Sequence, residues 1–185
     1  MTRRAPASIP AAAMLTHFTR ASTGATALDN LVAILKDNVI RGSSRMVRGG
    51  HPAVCMFDVP IADLRAILDR RNRRRYEPFG IAVDKRYAFT MGARPVIYLP
   101  WNEAEKILAP EESWRVVSFE MDKNPVVDWT FEREWRVAGD LRIDPALAAA
   151  LVETWNDVDE IFERFDGHPP CAGVIPIAEM FNQPS

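Results

Sequence analysis

A chain of 185 residues is long enough for one domain with a substantial core and too short for two of ordinary size. Its 48% apolar and 26% charged residues are those of a globular protein, and 14 prolines argue for short elements and many loops, which excludes a bundle of long helices. A net charge of -2 supplies no global attraction to nucleic acid or to an anionic membrane, so either partner would need a local basic patch.

The opening "MTRRAPASIPAAAML" has the paired arginines of a secretory leader, but Pro6 and Pro10 interrupt it before an apolar segment of adequate length forms. Residues 1–13 are expected to be a flexible tail and 14–185 a single domain. "LTHFT" alternates, which predicts a strand with Thr16 and Phe18 on one face and His17 and Thr19 on the other. In "TALDNLVAILKDNVIRG" the residues Leu28, Leu31, Val32 and Leu35 fall at helical spacing. Thr26 and Asp29 make an imperfect capping box there, and Gly42 lies past the end.

"PAVCMFDVPIADLRAILDRRNRRR" begins as a buried strand, Ala53 to Phe57. Asp58 reads as an N-cap with Pro60 in the first turn, and Ile61, Leu64, Ile67 and Leu68 form an amphipathic stripe. Three strand-like runs follow, "FGIAVDK", "PVIYLP" and "SWRVVSFEMD", with room for a short helix in "WNEAEKILAPEE". "TFEREWRVAG" is the next strand, and "DPALAAALVETWNDVDEIFERF", opened by Asp144 and Pro145, predicts one or two helices before a closing strand "CAGVIPIA". Strict alternation of strand and helix is missing, so the fold class is α+β.

Cys55 and Cys171 are too few and too far apart for a disulfide framework or a Cys-rich zinc site; they fit plain buried thiols in a reducing, cytoplasmic compartment. No run approaches the roughly 20 apolar residues a membrane span needs. His51 and His168 precede prolines in loops without acidic or Cys partners at ligand spacing, so no metal site is expected.

The chemistry-bearing stretch is "TFEREWRVAG". On a strand Glu132, Glu134 and Arg136 emerge on one side, opposite Phe131, Arg133, Trp135 and Val137. That side fits either a solvated face, with a Glu134 to Arg136 ion pair contributing about 0–1 kcal/mol, or the wall of a cleft. Arg41, Arg45 and Arg48 lie in a Gly-rich loop suited to contacts with a pyrophosphate, although it lacks the spacing of a dinucleotide or P-loop motif. The run Arg70 to Arg75 ends a helix, where positive charge favours the dipole, or else offers phosphate contacts to nucleic acid.

"FEREWR" is similar to the F-x-x-E-x-E-W-R ending of bacterial proteins related to the AbiGi phage-resistance family. "FGIAVDKRYAFTMGARPVIYL" resembles that family's F-G-I-x-F-x-K…G-x-x-P-V-I-Y block. "LTHFT…LDNLVAILKDNVIRG" is similar to the H-x-T…NL-x-x-I-L-x-x-G-L-I opening shared by AbiGi-like proteins and DarT-like DNA ADP-ribosyltransferases. The resemblance spans most of residues 15 to 139. It implies an ADP-ribosyltransferase-like fold in which two small, mostly antiparallel sheets with flanking helices form a cleft for NAD.

By position, His17 matches the first-strand residue that contacts the nicotinamide-side ribose, Glu134 the principal carboxylate and Glu132 its partner acid. The implied cofactor-binding set is His17, Thr19, Arg41, Arg45, Phe57 and Tyr87. Tyr87 and Tyr98 are the candidates for a third pocket residue. The block that tends to read C-F-[ST]-E-x-P in the family is "CMFDVP" here, so Phe57 replaces a small hydroxyl residue and Asp58 a glutamate.

Cleavage between ribose and nicotinamide develops positive charge on the sugar, which a fixed carboxylate stabilises, and a second carboxylate accepts the proton of an incoming nucleophile. The expected activity is therefore NAD-dependent mono-ADP-ribosyl transfer to a macromolecular acceptor, in a toxin–antitoxin or phage-defence setting (abortive infection). Nucleic acid would be held through the Arg70–Arg75 region, and a cognate toxin or antitoxin protein is a further expected partner. The alternative is a catalytically silent, antitoxin-like module of the same fold that binds a nucleotide or a protein. A Glu134 free of arginine favours the enzyme; a buried bidentate pair with Arg136 favours the silent module.

Overall fold

The computed structural model describes residues 13–45, 47–68 and 75–180. The N-terminal tail predicted from the sequence, apart from its last residue, lies outside the described residues. So do Arg70, Arg71, Arg73 and Arg74 of the basic run.

The first strand, β1, is Met14–Phe18. The predicted helix follows as α1, Ala27–Asp37, and its capping box is complete: Asp29 N–H donates to Thr26 Oγ1, while the Asp29 carboxylate accepts from Thr26 N–H. It stops at Asn38, a left-handed C-cap, short of Gly42; β2, Val39–Ile40, comes next. β3 is Ala53–Phe57, as the apolar run predicted. The stripe Ile61, Leu64, Ile67 and Leu68 is buried as expected, yet Ile61–Ala66 is a 3-10 helix, and its N-cap Pro60 makes no side-chain cap bond.

β4, Gly80–Asp84, runs directly into a short helix α2, Lys85–Thr90, which takes Asp84 as its cap. β5, Arg94–Pro95, and β6, Ile97–Leu99, precede α3, Trp101–Ile107. A 3-10 helix, Pro110–Arg115, leads to β7, Val116–Ser118. β8, Glu134–Ala138, is shorter than the predicted strand, because Thr130–Glu132 forms a 3-10 turn and Arg133 is left-handed at φ 45°. β9 is Leu141–Arg142.

The alanine-rich run expected to be helical is instead β10, Ala148–Val152, buried along its whole length. A continuous apolar run of five reads equally as a buried strand, and here pairing on both edges decides the matter. Helix α4, Trp155–Arg164, carries a second complete capping box, Thr154 with Asp157; β11, Gly173–Pro176, and α5, Ile177–Met180, close the described chain.

The fold is α+β. Seven strands form one sheet in the order β11-β10-β4-β1-β3-β8-β5, accompanied by the two-stranded ladders β2-β9 and β6-β7. All pairs are antiparallel except β10–β11 and β6–β7. The two small sheets expected from the resemblance are instead one sheet with a weak joint. β1 and β4 pair over five residues, and so do β3 and β8, but β1 meets β3 through the single pair Thr16↔Phe57.

Two cores follow from the alternation of the central strands. Leu15, Val54, Met56, Ile81, Val137 and Ala150 face α1 and α4. Met14, Phe18, Ala82 and Leu151 face the other way, onto Ile61, Leu64, Ile67 and Ile177. Both faces of the β10-β4-β1 half are therefore covered by apolar residues. On the β3-β8 half, one face carries Cys55, Glu134 and Arg136 instead, and this is where the cavity lies. No helix among the described residues is long and apolar enough to cross a membrane.

Replacing an N-cap Thr by Ala removes the acceptor for an otherwise unpaired helix N–H. Thr26→Ala and Thr154→Ala should each cost about 1 kcal/mol. Urea unfolding should show this as a lower midpoint at unchanged slope; an unmoved midpoint would contradict the capping assignment.

Candidate functional site

A cavity of about 580 Å³ opens where β1 and β3 splay apart. His17 lines it from β1; Ala53, Cys55 and Phe57 from alternate positions of β3; Glu134 and Arg136 from alternate positions of β8; Glu132 from the turn before it. Val116, Val117 and Ser118 of β7 close one side, and Arg20, Arg41, Arg45, Arg48 and Arg75 surround the rim.

The splay explains His17. The β1–β3 register is the single pair Thr16↔Phe57, and past it the side chain of His17 takes up the Cys55 carbonyl, Nδ1 donating to it at 2.8 Å. A carbonyl only accepts, so the proton is fixed on Nδ1 and Nε2 keeps its lone pair as an acceptor. Burial pulls the His17 pKa below its ordinary value, more than the Cys55 bond raises it, which keeps the ring neutral near pH 7. Gly80 permits this placement, since a Cβ there would stand 2.4 Å from the His17 carbonyl oxygen.

Glu134 and Arg136 form a buried pair. Arg136 Nε donates to Glu134 Oε1 at 2.8 Å and Nη2 to Oε2 at 3.4 Å, with side chains 5% and 8% exposed for Arg136 and Glu134. Arg136 Nη1 also donates to the carbonyls of Trp114 at 2.7 Å and Val116 at 3.3 Å. The guanidinium thus ties the segment ending in β7 to the sheet and neutralises Glu134. The solvated-face reading of the E-x-E stretch is corrected: these charges are buried against a cavity. The pair is a buried bidentate clamp.

Glu132 differs from Glu134. It is 5% exposed, and among the described residues its carboxylate accepts one hydrogen bond, from Tyr76 Oη at 2.9 Å. Burial raises its pKa, the Tyr76 bond acting against this and the Glu134 charge adding to it. Tyr76 is held edge-on to Phe57, with centroids 5.0 Å apart, and Arg75 lies 4.1 Å over the Trp129 ring. The Cys55 thiol, beside Glu134 and Arg136, is pushed up to about 12 by burial and by Glu134, which keeps it protonated near pH 7.

Of the expected cofactor-binding residues, His17, Arg41, Arg45 and Phe57 line this cavity. Thr19 does not: its hydroxyl donates to the carbonyls of Ala27 and Phe79 and joins β1 to the start of α1. Neither does Tyr87, whose hydroxyl donates to the Arg142 carbonyl at 3.1 Å, because α2 directs it away from the cavity. Tyr98 is also outside the lining; its hydroxyl accepts from Glu134 N–H at 3.0 Å. The tyrosine brought to the site is Tyr76. It sits next to Arg75 in a run that the sequence read only for its charge.

Arg41 is ion-paired to Asp140 at 2.9 Å, which also accepts from Gly42 N–H. A Cβ on Gly42 would meet the Gly139 carbonyl oxygen at 2.2 Å, so glycine alone lets this loop cross the end of β8 and bring Arg41 and Arg45 to the rim.

Comparisons with protein-family models, with curated proteins and with solved structures find no match for this chain.

Removing one partner of a buried pair strands the other. Glu134→Ala and Arg136→Ala should each cost about 3–5 kcal/mol, and Glu134→Leu with Arg136→Met should cost less than the two single losses together. Full additivity in denaturation would contradict the pairing. Glu132 gives a pH signature. From the ordinary carboxylate pKa up to its raised value, the unfolded chain loses a proton that the folded state keeps, so stability should fall as pH rises through that window. Glu132→Gln should remove this slope in thermal melts; a slope that persists would assign it elsewhere.

Proposed function

We propose that the cavity binds NAD or a closely related pyrophosphate-bridged dinucleotide, in a fold of the ADP-ribosyltransferase kind. One observation carries the reading: a single cavity has carboxylates, a neutral histidine acceptor and aromatic rings, with Arg75 and Arg136 among them, and a further set of arginines, Arg41, Arg45 and Arg48, from the segment before β3. β3 is the ruler. Phe57, beside Glu134 and Tyr76, and Ala53, beside Ser43 of the arginine loop, are separated by about 13 Å along the strand. That span suits a ligand whose sugar sits near Glu132 and His17 and whose phosphates reach Arg45 and Arg48.

The charge balance supports an anionic ligand. Six arginines and two glutamates line the cavity of a protein whose net charge is -2. His17 Nε2 would accept from a ribose hydroxyl, and Phe57 and Tyr76 offer ring faces and edges to a planar base.

The Glu134–Arg136 clamp favours binding without transfer, because a carboxylate satisfied by a bidentate guanidinium does little for positive charge developing on a sugar. The module then acts as a nucleotide sensor or as an antitoxin-like partner of another protein. A second reading, mono-ADP-ribosyl transfer to a macromolecular acceptor, is favoured by Glu132, which carries no arginine among the described residues and lies in the same cavity. In that reading Glu132 takes the acceptor proton, and Arg75 with Trp129 offers a cationic and aromatic surface to a nucleic-acid acceptor.

Calorimetric titration with NAD should give saturable binding that Arg45→Ala with Arg48→Ala weakens about tenfold. Nicotinamide release should be absent in the wild type if the module is silent, and present but lost in Glu132→Gln if it is an enzyme. Failure of NAD to bind the wild type would refute the proposal.

A further inference from the structure

Glu132 and Glu134 do not reach the cavity as neighbours on one strand. The 3-10 turn Thr130–Glu132 ends at Arg133, the strand begins at Glu134, and the join is the left-handed Arg133 at φ 45°, ψ 49°. A long side chain with a Cβ disfavours that conformation by roughly 1–2 kcal/mol, so neighbouring contacts must hold it.

Within the turn Arg133 N–H donates to the Thr130 carbonyl at 3.1 Å, and the remaining contacts converge on Asp58, the residue after β3. Its N–H donates to the Arg133 carbonyl at 3.2 Å, continuing the β3–β8 ladder one step past Phe57↔Glu134. Its carboxylate meets Lys85 Nζ at 2.6 Å and Arg133 Nη2 at 3.8 Å. Lys85 is the first residue of α2 and lies 4.9 Å over the ring of Trp135, so the cluster ties the linker to β4, α2 and the far face of β8. Asp58 is outside the cavity lining, with its side chain 14% exposed.

We infer that Asp58 is a positioning residue: together with Lys85 it fixes the left-handed Arg133 linker and thereby sets Glu132 against Glu134 on one wall of the cavity. Without its carboxylate, Lys85 and Arg133 are two cations sharing no anion, and the turn that buries Glu132 under Tyr76 is released. The inference rests on the reading that these carboxylates serve the cavity's ligand, but its test needs no ligand.

The test follows the titration of the Glu132 carboxyl by carbon NMR in the folded protein without ligand. The groups facing Glu132 are Tyr76, Glu134, Arg75 and Arg136. Asp58→Ala should lower its midpoint towards the ordinary carboxylate range, as the side chain gains water. Asp58→Glu should restore the wild-type midpoint. Arg133→Gly, which adopts the left-handed conformation freely, should leave the midpoint in place, whereas Arg133→Val should lower it.

An unchanged midpoint in Asp58→Ala would overturn the inference, as would a change that Asp58→Glu does not reverse. Should Asp58→Ala fail to fold, equal midpoints in the Arg133→Gly and Arg133→Val variants would overturn it instead, and unequal ones in the stated order would support it. A parallel titration of wild-type protein with NAD reports on the ligand separately, so loss of that reading leaves this result standing on its own.

Discussion

Everything about the cavity depends on the buried contact between Glu134 and Arg136. A guanidinium and a carboxylate taken out of water each carry a desolvation cost of several kcal/mol, which their mutual attraction offsets only when the remaining donors are satisfied. Here they are. Arg136 spends two N–H groups on Glu134 and its Nη1 on the carbonyls of Trp114 and Val116. The pair therefore acts as a pillar between the floor of the cavity, β8, and its wall, β7.

The second constraint is the weak joint of the sheet. β1 and β4 hold together over five residue pairs, β3 and β8 over five, and β1 and β3 over one. The gap exposes the Cys55 carbonyl to His17, and that bond sets which nitrogen of the ring is left as an acceptor. Apolar residues cover both faces of one half of the sheet, while the other half gives one face to the cavity. The apolar cover and the charged cavity thus belong to two parts of one sheet, joined at Thr16 and Phe57.

Much of this was legible in the sequence, and the limits have physical reasons. The capping residues of α1 and the apolar run of β3 fix local structure, and His17, Arg41, Arg45, Phe57, Glu132 and Glu134 do meet at one cavity. The Asp144–Pro145 opening predicts helix through Ala148–Val152, and only the two strand partners of that run reveal the alternative. Glu132 was placed on a strand because a period of two cannot announce a left-handed residue at Arg133. Tyr76 was hidden beside a basic run, and Thr19 and Tyr87 were assigned by position along the chain although their hydroxyls serve backbone carbonyls elsewhere.

A crystal structure of the protein soaked with NAD tests the central claim most directly. The account predicts the nicotinamide-side ribose beside His17 Nε2 and Glu132, phosphates at Arg45 and Arg48, and the Glu134–Arg136 pair intact beneath them. Density for the dinucleotide outside this cavity, or a Glu134 that leaves Arg136 to bind the ligand, would contradict it.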